Sequence, residues 1–210
     1  MIAAIELTPT QREMDSRDWT FGGTWPYEPR WLFADGIRIH YVDEGPRDGK
    51  PVVLLHGTPY WAYVFRREIG ELALAGSRAI AYDQLGFGRS DKPDRESEYS
   101  LERDVAHLRA LVEELGLGSL ALIAQSAAAP IAHAYAASEP ERVALLEDRD
   151  EPPLPELLRL PLLGKLLVKG ARFPLRGQAL SEEERAAYLA PHPSWASRSG
   201  IVASLRRGAA

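Results

Sequence analysis

The sequence predicts an α/β domain in which a mostly parallel sheet carries helices on both faces. Short apolar runs typical of strands alternate with longer stretches of helical periodicity between residues 37 and 146. Several of these runs stop abruptly at a small or polar residue, as strands do where they meet a loop. Because parallel strands need crossover connections, which are usually helices, this alternation favours a parallel sheet over a series of hairpins.

Apolar patterning predicts each strand. Residues 37–42 alternate apolar and polar side chains, which predicts a strand with one buried face. Residues 52–55 form a continuous apolar run, which is typical of a strand buried on both faces. Three further runs, at residues 79–82, 120–123 and 143–146, complete the set of predicted strands.

The helices are predicted from apolar spacing and from end signals. Residues 101–115 carry apolar side chains three and four positions apart, with Ser100 as a candidate N-cap and Gly116 and Gly118 as stop signals. Ser181 and Glu184 form a capping-box pattern before a helix at 182–189. Helices are also predicted at residues 61–74, 127–137 and 158–168.

Composition excludes several classes of protein. The chain has 210 residues, a net charge of -5 and no cysteine. This length suits one domain, and the mild acidity argues against a nucleic-acid partner. The N-terminus lacks the apolar segment of a signal peptide, and no apolar stretch is long enough to cross a membrane. We therefore expect a soluble cytoplasmic protein.

The composition changes at Glu147, which suggests a boundary. A run of charged residues at 147–151 is followed by several prolines and then by leucine-rich sequence. We interpret residues 1–150 as an α/β core, residues 151–199 as a helical cap and residues 200–210 as a tail. Residues 1–30 are interpreted as an irregular segment with an aromatic cluster.

Three segments follow predicted strands, where the functional groups of open parallel sheets gather. They are His-Gly-Thr-Pro at 56–59, Asp-Gln-Leu-Gly-Phe-Gly-Arg-Ser-Asp-Lys-Pro at 83–93, and Ala-Gln-Ser-Ala-Ala-Ala-Pro-Ile at 124–131. Pro-Glu-Arg-Val at 140–143 and Ala-Pro-His-Pro-Ser-Trp-Ala-Ser-Arg at 190–198 add to the pattern.

Together these motifs resemble the haloalkane dehalogenase branch of the α/β-hydrolases, over about residues 19–202. The resemblance implies an α/β-hydrolase fold with a helical cap, hydrolysis of a small molecule, and no cofactor or metal. It also implies more strands after the cap than this sequence offers, so the last strands are expected to be missing and the chain to be truncated at its C-terminus.

The resemblance aligns Ser126 with the nucleophilic aspartate of the family and Ala127 with its halide-holding tryptophan. Thr58 stands where many dehalogenases have a halide-binding asparagine. Because dehalogenation needs a carboxylate and serine is the nucleophile of esterase-type relatives, ester hydrolysis is expected rather than dehalogenation. The backbone N–H groups of Thr58 and Ala127 would form the oxyanion hole. The alternative, Ser126 as the N-cap of an alanine-rich helix, stays open.

The acid and the base are less clear. The resemblance implies an acid just after the strand that follows the nucleophile helix, which makes Asp150 the candidate, with Glu147 and Asp148 as rivals if that strand is shorter. The alternative, in which Asp150 is a solvated member of the charge run, stays open. The family's catalytic histidine comes from a loop beyond the cap, and no convincing base is found among the histidines present, which are His40, His56, His107, His133 and His192.

Three of these histidines have a structural interpretation that the fold can test. His56 is expected to shape the His-Gly turn, His107 to lie on the polar side of its helix, and His192 to lie on the surface of the cap.

The second hypothesis is therefore an inactive family member that serves at most as a binding or interaction module. The strand at 143–146 is expected to have an open edge, which predicts marginal stability and self-association.

Overall fold

The computed structural model describes residues 9–150, 163–169 and 180–207, and every structural statement concerns these residues. One six-stranded sheet runs in the order β1-β2-β4-β3-β5-β6. β3 pairs in parallel with β4 and β5, and β6 pairs in parallel with β5. β2 is antiparallel to both β1 and β4. The strands are β1 (Arg30–Ala34), β2 (Ile37–Glu44), β3 (Pro51–Leu55), β4 (Arg78–Tyr82), β5 (Leu120–Gln125) and β6 (Val143–Arg149).

Helices cover both faces of the sheet, as predicted. One face packs against α3 and α4, and the other packs against α2 and a cluster of aromatic residues. The helices are α1 (Pro9–Asp15), α2 (Arg66–Leu74), α3 (Leu101–Glu114), α4 (Ala129–Ser138), α5 (Leu163–Lys169), α6 (Glu182–Leu189) and α7 (Ser199–Arg207).

Two predicted helices are confirmed together with their end signals. Ser100 caps α3, since its side chain accepts a hydrogen bond from the Arg103 N–H. Gly116 has φ +59°, the left-handed conformation that suits glycine just beyond a helix end. At α6, Ser181 and Glu184 form both hydrogen bonds of the capping box. Local polar spacing was enough to place these ends.

Two predictions for the N-terminal region were wrong. The segment described as irregular contains α1, and β1 begins at Arg30. β2 was expected to bury one face, but it is buried on both. Its polar side chains are buried because they are paired: Arg38 bonds Asp15 at 2.7 Å, and His40 bonds Asp83 at 2.7 Å. Partners distant in sequence therefore allow an alternating strand to be fully buried.

Three element boundaries also differ from the predictions. A 3₁₀ turn at Ala62–Phe65 precedes α2, so the α-helix starts later than expected. β6 runs through Arg149, which places most of the charge run inside a strand. The segment interpreted as a tail forms α7, whose apolar residues are buried. Of the helix predicted at 158–168, residues 158–162 lie outside the described residues, and α5 accounts for the rest.

The helix α6, which lies in the segment interpreted as a cap, contacts the aromatic residues that follow β3. The Trp61 indole N–H donates to the Ala187 carbonyl at 3.0 Å, and Tyr188 packs edge-on against Tyr60 and Tyr63.

In the described ranges, no helix is long and apolar enough to cross a membrane. The cytoplasmic location stays a prediction.

Candidate active site

The turn after β3 is a closed hydrogen-bond network around His56. The Nδ1–H of His56 donates to the Gly57 carbonyl at 2.9 Å, and its Nε2 accepts from the Gln84 N–H at 3.0 Å. Burial lowers the pKa of His56, which is consistent with a neutral ring that both bonds use. His56 therefore shapes the loop, as expected, and has no nitrogen left for proton transfer.

The turn after β4 is organised by Asp83, which is fully buried. Its carboxylate accepts hydrogen bonds from the ring of His40 at 2.7 Å, the Ala62 N–H at 2.9 Å and the Arg89 N–H at 2.8 Å. Burial alone would raise the pKa of Asp83, but the nearby His40 and its hydrogen bonds outweigh that effect and lower the pKa to about 2. Gly88 packs on this carboxylate with φ +46°, so a larger residue there would collide with it.

Ser126 lies at the junction predicted for it. β5 ends at Gln125, a 3₁₀ turn spans Ser126–Ala128, and α4 begins at Ala129. The side chain is exposed, and its Oγ donates to the Arg149 carbonyl at 3.1 Å. A backbone carbonyl is not a base, so this bond orients Ser126 without activating it.

The strand–helix junction at Ser126, which we call the elbow, is joined to the turn after β3. The side-chain oxygen of Gln125 accepts from the Gly57 N–H at 2.7 Å. This bond brings the two proposed oxyanion donors, the N–H groups of Thr58 and Ala127, to neighbouring loops. Ala127 lies in the first turn of its helical segment, where N–H groups have no partner within the helix.

Sequence reasoning missed a contact between Thr58 and α7. The Thr58 hydroxyl lies 2.5 Å from the Ser204 hydroxyl, so α7 lies directly against the candidate oxyanion loop. Thr58 precedes a cis peptide bond to Pro59. The helical spacing of Ile201, Val202 and Leu205 was the available signal for this helix, and it was overlooked because the segment is short.

The three candidate acids differ in their partners. Asp150 follows β6 and is exposed, and the described residues offer it no hydrogen bond. Glu147 is paired with the side chain of Arg149 at 2.7 Å. Asp148 lies 2.7 Å from Nε2 of His133, and both side chains are exposed. The pairing of β5 with β6 places Asp148 beside Ala124, near the elbow.

Two histidines are more deeply buried than predicted. His107, expected on a polar helix face, is 2% exposed, and neither ring nitrogen has a partner among the described residues. His192, expected at the surface, is 4% exposed and donates from Nδ1 to the Ser197 carbonyl at 3.0 Å. Burial lowers the pKa of His107 to about 4 and that of His192 to about 3. Both are poor bases near neutral pH.

The structure therefore joins the loop of Thr58 to the junction at Ser126 through Gln125, and it brings no histidine to Ser126. All five histidines lie in the described ranges, and each has its contacts elsewhere than at Ser126. In those same ranges, no three His, Asp or Glu side chains are grouped so that they could hold a metal ion.

Comparison with known proteins finds a matching family model and several similar sequences. The family described as alpha/beta hydrolase fold matches residues 50–146. A haloalkane dehalogenase of Psychrobacter cryohalolentis is 39% identical over 145 residues, which cover 67% of this chain and 46% of that protein. A haloalkane dehalogenase of Mycolicibacterium paratuberculosis is 46% identical over 110 residues, covering 52% of this chain and 36% of the relative.

A third relative carries a different name. It is a cis-3-alkyl-4-alkyloxetan-2-one decarboxylase of Shewanella oneidensis, 33% identical over 194 residues, which cover 82% of this chain and 60% of that protein. The chain thus spans about half the length of the curated relatives it matches.

Solved structures agree with these relatives. The haloalkane dehalogenase DatA from Agrobacterium tumefaciens C58 superimposes with a TM-score of 0.74 at 28% identity, over 85% of this chain and 67% of DatA. The haloalkane dehalogenase DpaA from Paraglaciecola agarilytica NO2 gives a TM-score of 0.73 at 28% identity, over 91% of this chain and 68% of DpaA.

Proposed function

The chain belongs to the haloalkane dehalogenase-like α/β-hydrolases, and on that premise we propose that it hydrolyses small esters slowly through Ser126. The observation that carries this proposal is the position of Ser126. It is exposed on the strand–helix junction, and Gln125 ties that junction to the loop of Thr58. A substrate that arrives from solvent can therefore bring its carbonyl carbon to the hydroxyl of Ser126.

The proposed reaction has two steps. The Ser126 hydroxyl oxygen attacks the ester carbonyl, the alcohol leaves, and water then releases the acid from the acyl-enzyme. The N–H groups of Ala127 and Thr58 would stabilise the oxyanion that forms in each step. Asp150 is the residue proposed as the catalytic acid.

The rate is expected to be low because none of the five histidines is bonded to Ser126. A positioned base typically contributes about 10²–10⁴-fold to such reactions. Solvent would take the proton of the Ser126 hydroxyl in the proposed reaction. Haloalkane dehalogenation is not proposed, since Ser126 offers no carboxylate and Ala127 no indole N–H.

The relative from Shewanella oneidensis supports a carbonyl substrate. An oxetan-2-one, the group in that protein's name, is a four-membered cyclic ester. Ring strain makes such an ester easier to open, so a strained lactone suits a site that lacks a strong base.

Hydrolysis of 4-nitrophenyl acetate and of a β-lactone, with covalent labelling by a fluorophosphonate, tests the proposal. Ser126→Ala should reduce both rates to the buffer background and abolish labelling. Ser138→Ala is the matched control, because Ser138 is an exposed serine at the other end of α4. Equal rates for Ser126→Ala and the wild-type chain would contradict the proposal.

The haloalkane prediction needs a separate assay. Halide release from a simple bromoalkane should stay at background in the wild-type chain. It should stay there in the double variant Ser126→Asp with Ala127→Trp, because the base would still be absent. Release that depends on Ser126 would show that the site has been misinterpreted.

One observation favours a second function, an inactive family member that binds a small molecule or another protein. The histidines of the chain are either bonded elsewhere or buried with lowered pKa values, so none is poised to activate Ser126. Absence of Ser126-dependent turnover and labelling in the assays above would support this function over ester hydrolysis.

A further inference from the structure

The peptide unit between Gly57 and Thr58 is held by hydrogen bonds to its carbonyl. The Gly57 carbonyl accepts from Nδ1 of His56 at 2.9 Å and from the Tyr60 N–H at 3.0 Å. This peptide is trans. Because a trans peptide is planar and its N–H points away from its carbonyl, the two bonds also restrict the direction of the Thr58 N–H. That N–H is one of the two oxyanion donors of the proposed hydrolysis.

The side chain of Thr58 is held by α7 instead. The Thr58 residue is 6% exposed, and its hydroxyl lies 2.5 Å from the hydroxyl of Ser204. In the described part of the chain, no other residue bonds the Thr58 hydroxyl. Because the branched Cβ of threonine allows few rotamers, a hydrogen bond at its Oγ1 also restricts the backbone that carries the side chain.

α7 is itself anchored at both ends, so the residues between those ends have fixed positions. At its start, the Ser199 hydroxyl accepts from Nζ of Lys169 at 2.7 Å and donates to the Asp94 carbonyl at 3.0 Å. At its end, Arg207 pairs at 2.6 Å with Asp104, which is 3% exposed.

α7 also packs closely on the turn after β4. A Cβ on Gly200 would lie 2.9 Å from the Cα of Gly86, so the two backbones meet where there is no room for a side chain. Ser204 lies one turn further along α7, on the same face as Gly200. The close contact therefore leaves α7 little freedom to move Ser204 away from its partner.

We propose that Ser204 is a positioning residue, whose bond to Thr58 keeps the Thr58 N–H directed at the oxyanion formed during attack by Ser126. This inference rests on the proposed function, in which Ser126 attacks an ester. Ser204 touches no substrate and acts only through Thr58. Loss of its hydroxyl should lower kcat and leave KM unchanged, because a donor that is less well directed stabilises the transition state less than before.

A kinetic double-mutant cycle with 4-nitrophenyl acetate tests the role of this bond, with the Ser126→Ala rate subtracted throughout. Ser204→Ala should lower kcat about tenfold, which is less than the roughly 10²–10³-fold cost of losing an oxyanion donor outright. Thr58→Val keeps the N–H and removes the hydroxyl, so it should cause the same loss. The double variant should lose no more than either single variant, because all three lack the same hydrogen bond.

Two controls separate positioning from a general effect on α7. Ser204→Thr keeps a hydroxyl and should restore kcat, whereas Ser204→Val has the shape of threonine without the hydroxyl and should not. Ser199→Ala removes a hydroxyl from the same helix, at a site that contacts Lys169 and Asp94 rather than Thr58, and should leave kcat at the wild-type value. If Ser204→Val does not fold, Ser204→Ala and Ser204→Thr give the same comparison.

Failure of this inference can be told from failure of the proposed function. A rate that does not depend on Ser126 ends the proposed function, and the positioning role with it. The positioning role alone is overturned by a Ser126-dependent kcat that Ser204→Ala leaves unchanged or that Ser204→Thr does not restore. An equal loss in Ser199→Ala, or a double variant whose loss is the product of the single losses, would overturn it as well.

Discussion

The loops after β3 and β4 differ from the segments after β5 and β6 in how their side chains are buried and bonded. All four follow the carboxyl ends of parallel strands, at the same end of the sheet. Around His56 and Asp83 the polar groups are buried and bonded to one another. Around Ser126 and Asp150 the side chains are exposed. The chain thus has the tightly bonded loops of an α/β-hydrolase scaffold, next to a proposed nucleophile position that is open to solvent.

This difference shows which residues the fold itself constrains. A buried polar group that loses one partner leaves another unsatisfied, so the residues of such a network depend on each other for stability. An exposed side chain can be exchanged at little cost. Serine at 126 and alanine at 127 are therefore compatible with an intact fold, whatever they do to the chemistry.

The largest expected effect separates the two regions by their carboxylates. Asp83→Ala should destabilise the protein by about 3–5 kcal/mol, because it removes the acceptor of three buried donors. Asp150→Ala should change the free energy of unfolding by less than about 0.5 kcal/mol. Urea unfolding of both variants measures this. Similar losses in the two variants would show that the comparison is wrong.

Acid should weaken the buried network as well. The lowered pKa of Asp83, about 2, means that its contribution is present above its unfolded value near 4 and is lost as the pH falls toward 2.

The α/β scaffold was predictable because its signals are local. Apolar runs placed β3, β4 and β5, and the capping box of Ser181 placed α6. These patterns involve residues that are neighbours in sequence, where spacing determines which side chains share a face. The position of Ser126 followed from the same kind of signal.

The parts that failed depend on contacts between distant segments. His107 looked polar-faced on its own helix, yet in the folded chain it is 2% exposed. The burial of α7 involves the Gly86 turn, against which Gly200 packs closely, and local spacing does not show that contact. The pairing of His133 with Asp148 also joins a helix to a strand. Periodicity does not reveal which distant segments meet.

His107 gives a prediction about pH. Its folded-state pKa, about 4, lies below its unfolded value near 6.5. The stability associated with the neutral ring is therefore present above pH 6.5 and is lost as the pH falls toward 4. His107→Leu should reduce the loss of stability between pH 7 and pH 5 by about 1–2 kcal/mol. Urea unfolding at both pH values measures it.

The control for this prediction is His133→Gln, a change at an exposed histidine of the other region. It should leave the difference in stability between pH 7 and pH 5 closer to that of the wild-type chain. If His107→Leu retains the full wild-type difference, the ring of His107 is not the group that titrates.

A smaller effect is expected where α7 contacts the scaffold. Ser204→Ala removes the hydroxyl partner of Thr58 and should cost about 0.5–1.5 kcal/mol. Thr58→Val should cost a similar amount, and the double variant should cost less than the sum, because both changes delete one hydrogen bond. A double-mutant cycle by thermal unfolding measures the coupling. Strictly additive costs would mean that the two hydroxyls do not interact.

The smallest expected change in stability concerns the edge of β6, where we propose that the chain self-associates. In the described part of the sheet, β6 pairs only with β5, and Leu145 on it is 54% exposed. An uncovered strand edge with an apolar side chain favours association between chains. Leu145→Glu should leave the melting temperature within about 2 °C but shift sedimentation toward the monomer. Leu74→Glu is the matched control, since Leu74 is 91% exposed at the end of α2 and should not change the association. A wild-type chain that sediments as a monomer and melts in one sharp transition would mean that this edge is covered. The loops after β5 and β6 would then be open to solvent, but the edge of β6 would not.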